Sequence, residues 1–192
     1  DKQYEEAVVQ FNKALSMDKS HTEIYKDISD VYEKKRDFPK AIEAYKNYLD
    51  EMKSSPDISD LFLYGRLNYY AATDSAYQDK QPTYLAEADT IFAQVAVKVP
   101  DNYLGNFWRA RVNSLRDPET TQGLAKPYYE AALSILEQKP DATKSVLVEC
   151  NSYLGYYYFV KEDYNQSKQY WNKILEIDPE NETATKALGG IK

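Results

Sequence analysis

Side chains that commonly do chemistry are few in this chain. There is one histidine and one cysteine in 192 residues. His21 falls in a turn between helical stretches, where a lone histidine is a solvated polar group rather than a catalyst. Cys150 shares an apolar stretch with Leu154 and Tyr158 and reads as a small buried hydrophobe. A single cysteine makes no internal disulfide, and with no partners it makes no zinc site. Carboxylates pair up at Glu5-Glu6 and Glu180/Glu182, on faces expected to be exposed. No glycine-rich phosphate loop, Ser/His/Asp set or Cys/His pair can be assembled. The residues point to no enzyme chemistry, no cofactor and no metal centre.

Charge narrows the partners. With 24 basic and 31 acidic residues the net charge is −7. Nucleic-acid binding needs clustered Lys and Arg to neutralise phosphates. The one local run, Lys34-Lys35-Arg36, reads as a solvated turn. No stretch approaches the 18 consecutive apolar residues that a membrane span needs. Aromatic residues make up 14% of the chain, with 19 tyrosines. Most fall at helical spacing, where rings fill the gaps between helices.

The elements that position these side chains announce themselves by repetition. Small residues stand at Ala7, Ala41, Ala88, Ala125 and Ser167. Four residues after each comes Phe11, Tyr45, Phe92, Tyr129 or Trp171, and three further on Ala14, Tyr48, Val95, Ala132 or Ile174. That spacing is one face of an α-helix, and the small residue lets a neighbouring helix come close. Pro100 and Pro179 close two of the units, with Lys19 and Lys53 in the equivalent places of two others. A second ladder, Ser29, Gly65, Ala110, Gly155 and Gly189, interleaves with the first. The separation is 22 residues for Ala7 to Ser29 and for Ser167 to Gly189, and 12 for Ser29 to Ala41 and for Gly155 to Ser167. Together these make the 34-residue period of a two-helix repeat.

Read along the chain, helices are expected at 3–17, 22–35, 38–52, 57–72, 83–98, 103–115, from about 124, 143–161, 164–177 and 181–191. Asp37 is an N-cap with Pro39 in the first turn behind it. Thr73–Pro82 is expected to be a polar, flexible loop inserted between two helices. Glu119–Gln122 is expected to be a short turn ended by Gly123, so that Pro127 falls in a helix's first turn. The chain is expected to begin and end within a repeat, as an excised part of a longer protein or an array with unusual caps would.

The pattern resembles the tetratricopeptide repeat. The residues that carry the likeness are Tyr25, Ile28, Ser29 and Tyr32 followed by Ala41, Tyr45 and Tyr48, and Leu154, Gly155 and Tyr158 followed by Ser167, Trp171, Ile174 and Pro179. The resemblance implies an all-α fold, a right-handed α-α superhelix of antiparallel helical hairpins. It divides the chain into a half repeat at 1–21, a repeat at 22–55, a repeat at 56–102 with the inserted loop 73–82, a degenerate repeat at 103–142, a repeat at 143–180 and a terminal half repeat at 181–192.

In this family the first helices of the repeats line a concave groove that receives a peptide or partner segment. The resemblance places Lys26, Asp30 and Glu33 there, then Phe62, Arg66 and Tyr69, then Phe107, Arg111 and Ser114, then Ser152, Tyr156 and Phe159. Arg66 and Arg111 with Phe62, Tyr69, Phe107, Tyr156 and Phe159 would receive a carboxylate beside an apolar side chain, since the guanidinium fork bonds carboxylate bidentately and stacks on rings. The competing reading pairs Arg66 with Asp30 and has the insertions shift Arg111 off the groove. Members of the family that bind chaperone tails need a Lys and an Asn one turn apart, and Asp30 follows Lys26 here. Asn68, Asn106, Asn113 and Asn151 fall in the packing register and are expected to form an interhelical hydrogen-bond network. The function implied is a non-catalytic scaffold for a protein or peptide partner, with an exposed carboxylate on that partner. The alternatives are the recognition arm of a larger enzyme or transport machine, or a Tyr-rich surface that binds carbohydrate.

Overall fold

Ten α-helices and one short 3-10 segment account for the regular structure, with no strand among the described residues. The computed structural model describes residues 2–18, 20–52 and 54–191. The helices are α1 (Lys2–Met17), α2 (Ile24–Lys34), α3 (Phe38–Glu51), α4 (Ile58–Thr73), α5 (Gln81–Lys98), α6 (Leu104–Arg116), α7 (Lys126–Leu136), α8 (Lys144–Val160), α9 (Tyr164–Ile177) and α10 (Glu182–Gly190). Each begins and ends within two residues of the position expected from spacing. Lys19 and Lys53, the two lysines in closing positions, lie outside the described residues.

The chain divides into two compact units, Asp1–Ile91 and Phe92–Lys192. In the first, α1 packs on α2, α2 on α3 and α3 on α4; in the second, α6 packs on α7, α7 on α8, α8 on α9 and α9 on α10. Packing chiefly between sequence neighbours is how an α-α solenoid buries apolar stripes that one hairpin cannot bury alone.

Local chemistry sets the helix ends. Asp37 accepts a hydrogen bond from the Lys40 N–H, with Pro39 in the first turn of α3. Asp57 and Asp60 cap α4 reciprocally, at 2.8 Å and 3.3 Å. Asp163 and Asn181 cap α9 and α10. Such caps satisfy N–H groups that have no partner inside the helix.

The two ladders meet inside the hairpins. Ala41, Ala88 and Ala125 are fully buried, as are Phe92 and Ile174. Ser29 Oγ donates to the Ala41 carbonyl at 2.8 Å, and Ser167 Oγ donates to the Gly155 carbonyl at 2.8 Å. The same contact is thus made twice, with the hydroxyl on the first helix in one hairpin and on the second helix in the other. Gly155 is small for a separate reason. A Cβ there would lie 2.7 Å from the Trp171 indole. Gly105 is a close approach that the ladders do not mark, since its Cβ would meet the Ala96 backbone at 2.5 Å.

Several expectations are corrected. Gly189 continues the second ladder in sequence, but a Cβ there would meet nothing within 4 Å, and the residue is exposed. Small size has no packing role where no described helix follows. The segment 73–82 is not irregular throughout. Ser75–Lys80 is a 3-10 helix, and α5 starts directly after it at Gln81. Asp74 caps the segment through the Ala76 N–H and holds Arg36 at 2.7 Å. The Tyr77 ring meets Phe38 edge-on at 6.4 Å, and its hydroxyl donates to the Arg36 carbonyl at 3.2 Å. The polar residues of the insertion thus find partners on the α2–α3 turn. Three of the four asparagines also bond within their own helices. Asn68, Asn113 and Asn151 each donate from Nδ2 to the carbonyl four residues earlier in their own helix, at 2.9, 2.8 and 2.7 Å.

The Pro127 region follows the expected plan with one addition. Pro127 lies in the first turn of α7. The preceding loop wraps around the buried Asp117, whose Oδ2 accepts from the N–H groups of Gln122, Gly123 and Leu124 at 2.9, 2.7 and 3.4 Å. Gly123 sits at φ +71 with no room for a Cβ beside Tyr157, so only glycine fits.

Candidate functional site

The residues expected to form one groove divide between the units. Phe62, Arg66 and Tyr69 lie on α4 in the first, while Phe107, Arg111, Tyr156 and Phe159 lie on α6 and α8 in the second.

On α4, Arg66 does not pair with Asp30, which is exposed. Its Nη2 approaches Glu33 Oε1 at 3.5 Å, and its guanidinium lies 5.7 Å from the Tyr70 ring centre. The Arg66 Nε is buried with no hydrogen-bond partner. Phe62 and Tyr69 are half-buried beside it in sequence. Upstream on α2, Lys26 pairs with Glu23 at 2.9 Å, reaches Asp60 at 3.7 Å and sits 4.5 Å over the Tyr48 ring. Its hydrogen bond to Glu23 holds the Lys26 pKa above its ordinary value.

On α6, Arg111 has the chemistry expected of it, but the carboxylate comes from the chain itself. Its Nε and Nη2 donate to the two oxygens of Glu149 on α8 at 2.7 and 2.6 Å. The guanidinium lies over Phe107 at 4.5 Å and Trp108 at 5.0 Å. The Tyr129 hydroxyl donates to the same Glu149 at 3.1 Å, and burial, reinforced by Glu149, pushes the Tyr129 pKa up. Phe107 is a core residue, 4% exposed, packed edge-on against Tyr103 and Tyr129. Ser114 is turned back onto its own helix, donating to the Ala110 carbonyl. Next to Glu149, Cys150 is fully buried, and burial raises its thiol pKa to about 12. Burial of this kind disfavours the thiolate, the form that attacks electrophiles and binds metals.

Tyr156 and Phe159 end up in a different situation. Each is 41% exposed, unusual for large rings in this chain, and Phe159 meets the equally exposed Tyr164 at 5.9 Å. They line an apolar pocket of about 230 Å³ together with Trp171, Lys186, Ala187 and Ile191. The pocket lies between α8 and α10, with Trp171 contributed by α9. Lys186 brings the one charge to this lining, and it pairs with Glu182 at 2.9 Å on the exposed side of α10. Sequence reasoning missed Trp171, Lys186 and Ile191 here, because it assigned Trp171 to the core and gave α10 no role. The signal was the placement of Lys186 and Ala187 on a short terminal helix opposite an unusually aromatic run, Tyr156 to Phe159.

Among the described residues no group of three metal-ligating side chains comes together. No helix is long and apolar enough to cross a membrane.

Comparison with known proteins places this geometry. The model of the tetratricopeptide repeat matches residues 153–181, from the middle of α8 past the end of α9. Among the solved structures, the C-terminal part of a tetratricopeptide-repeat protein from Cytophaga hutchinsonii is 31% identical, with a TM-score of 0.80 over 94% of this chain. This chain spans 65% of that one. YrrB, described as a tetratricopeptide-repeat protein with an unusual peptide-binding site, is 18% identical with a TM-score of 0.65, covering 97% of this chain and 84% of its own. TTC0263, a thermophilic tetratricopeptide-repeat protein of Thermus thermophilus, is 16% identical with a TM-score of 0.56, covering 99% of this chain and 91% of its own. The likeness to YrrB and TTC0263 is one of fold. No curated protein matches the chain.

Proposed function

The chain belongs to the tetratricopeptide-repeat family, and from that premise we propose that it is a non-catalytic scaffold whose second unit binds a protein segment in the pocket between α8 and α10. One observation carries this reading: two large rings, Tyr156 and Phe159, stand 41% exposed at the rim of an apolar pocket floored by Trp171. Exposed rings around a concave apolar surface are the usual anchor points of an interface. The pocket accepts an apolar side chain. Lys186 at its edge favours an acidic residue beside that side chain, on a partner that gives it a better-buried carboxylate than Glu182 does.

The remaining groove residues take related roles. Arg66, whose buried Nε has no hydrogen-bond partner, is the corresponding carboxylate contact of the first unit. Arg111 has a positioning role, since its fork holds Glu149 and thereby α8. Phe107 supports the guanidinium from below.

The test is titration calorimetry against peptides selected on the parent protein. Changing Tyr156 and Phe159 together to Ala should weaken binding by about 2 kcal/mol or more, as loss of an interface hot spot does. The variant should stay folded, because neither ring is buried. Arg66→Ala should weaken those peptides that carry a second carboxylate. Unchanged affinity in a folded Tyr156/Phe159 variant would remove the pocket from the binding surface.

A further inference from the structure

A smaller pocket in the first unit lies outside the scaffold reading. It measures about 200 Å³ and is lined by residues of α1, α2 and α3. Ile28 and Ala44 are its buried apolar residues, 5% and 6% exposed. Tyr25 and Tyr32, two turns apart on α2, add half-buried rings. Asn12 from α1 and Asn47 from α3 border it as exposed amides. Neither makes a side-chain hydrogen bond to another described residue. The rim charges balance. Lys40 is held by Asp37 at 2.8 Å and stands 5.3 Å from the Tyr32 ring centre. Glu43 is exposed and has no ion-pair partner among the described residues.

The repeat register gives a second, independent observation. Counted from Ser29 and Ala41, Tyr32 and Ala44 take the places that Tyr158 and Tyr170 take counted from Gly155 and Ser167. In the α8–α9 hairpin those two rings are stacked, 5.6 Å apart and 7° from parallel. The same place as Ala44 holds Ile91 in α5 and Tyr128 in α7. Ala44 is the smallest of the four and brings no ring to Tyr32. A space that a ring fills in one hairpin is thus a cavity beside Tyr32 in the other.

We propose that this pocket binds one pyranose ring of a saccharide, laid on Tyr32 in the place that Tyr170 takes on Tyr158. A pyranose carries C–H groups on its faces and hydroxyls around its edge. The C–H face suits the electron-rich face of a tyrosine ring. The hydroxyls suit the rim, where Glu43 accepts, Lys40 donates, and Asn12 and Asn47 do both. One ammonium and one carboxylate at the rim favour a neutral ligand over an ion. An aromatic side chain of a partner protein would match the ring, but would turn an apolar edge to these four polar groups.

The experiment titrates the full chain, followed by NMR, with the methyl glycosides of glucose, galactose, mannose, xylose and N-acetylglucosamine, and with p-cresol. At least one glycoside should bind and shift the amides of α2 and α3. Ala44→Tyr rebuilds the ring stack of the α8–α9 hairpin. It should keep the fold and weaken that glycoside about tenfold or more, since the space is then filled. Asn47→Ala and Glu43→Gln, exposed changes that leave the core alone, should each weaken it about fivefold, the equivalent of one lost hydrogen bond. Changing Tyr156 and Phe159 to Ala should leave this binding untouched, which separates the site from the α8–α10 pocket. Failure of every glycoside to bind overturns the proposal. So does an unchanged affinity in Asn47→Ala and Glu43→Gln, or in a folded Ala44→Tyr variant. Tighter binding of p-cresol than of any glycoside at α2 and α3 overturns it too, and assigns the pocket to an aromatic side chain of a protein partner.

Discussion

Ser29 and Ser167 do the same work from opposite helices of their hairpins. Each donates to a carbonyl that already accepts a helical bond, so removing the hydroxyl orphans nothing on the acceptor side. Ser29→Ala and Ser167→Ala should each cost about 1 kcal/mol, the net value of an ordinary buried hydrogen bond. Ala41, fully buried against that contact, has no such tolerance. Ala41→Trp should cost roughly 1–3 kcal/mol or more, because an overfilled helix contact forces the backbone apart. Lys35 pairs with Glu5 at 3.4 Å on the surface. Lys35→Ala should change stability by no more than about 0.5 kcal/mol, as exposed ion pairs do. Chemical denaturation of the four variants checks the order. Equal stabilities for Ala41→Trp and the parent would refute the packing register.

At the scale of elements, the insertion after α4 is the informative case. Its composition is that of a loop, yet Asp74, Tyr77 and Arg36 pin it. Limited proteolysis should therefore spare Ser75–Lys80 in the parent protein, and Tyr77→Ala should open it to cleavage. Rapid cutting of the parent there would show the pin to be ineffective. The pin should also depend on pH. The hydrogen bond from Ala76, and after it the Arg36 guanidinium, hold Asp74 below its ordinary pKa of 3.8. A carboxyl whose folded pKa is depressed contributes stability that is complete above its unfolded pKa and lost as pH falls through the lower folded value. Amide protection over 75–80, taken relative to the intrinsic exchange rate at each pH, should thus stay flat from neutral pH down to about 4, then fall below it, and Asp74→Asn should abolish that acid step.

For the molecule as a whole, stability should be local. Each unit carries its own buried clusters, around Tyr45 and Ala41 in the first and around Trp171 and Ile174 in the second. In a chain whose helices pack on sequence neighbours, damage spreads to the next neighbour first. Gly155→Ala, which drives a methyl into Trp171, should lower amide protection in α8 and α9 far more than in α2 and α3. A uniform loss across both would show global rather than local cooperativity. Net charge acts over the whole surface as well. At −7 the chain should fail to retard DNA or RNA in a gel at low salt, because phosphate binding needs the opposite field.

The repeat period, the helix ends and the buried ladder residues were legible in the amino-acid sequence, because they follow from short-range facts. Helical spacing selects a face, Asp and Pro cap, and a small residue permits a close contact at a fixed offset. The same regularity put Tyr156 and Phe159 on one face of α8, where both rings are exposed, since residues on one helix face share a direction. What it could not find was which partner each side chain would take. Arg111 was read as a receptor for a partner's carboxylate among rings, whereas packing of α6 near α8 gives it a carboxylate of its own chain, Glu149, 38 residues away. Likewise the polar insertion was a loop until Tyr77 met Arg36, 41 residues earlier. Asn68, Asn113 and Asn151 each donate to a carbonyl of their own helix, a bond that the spacing alone did not point to. Periodicity is a property of the chain over a few turns, whereas partners are chosen by the tertiary arrangement, since polar groups take whichever complement lies within about 3 Å.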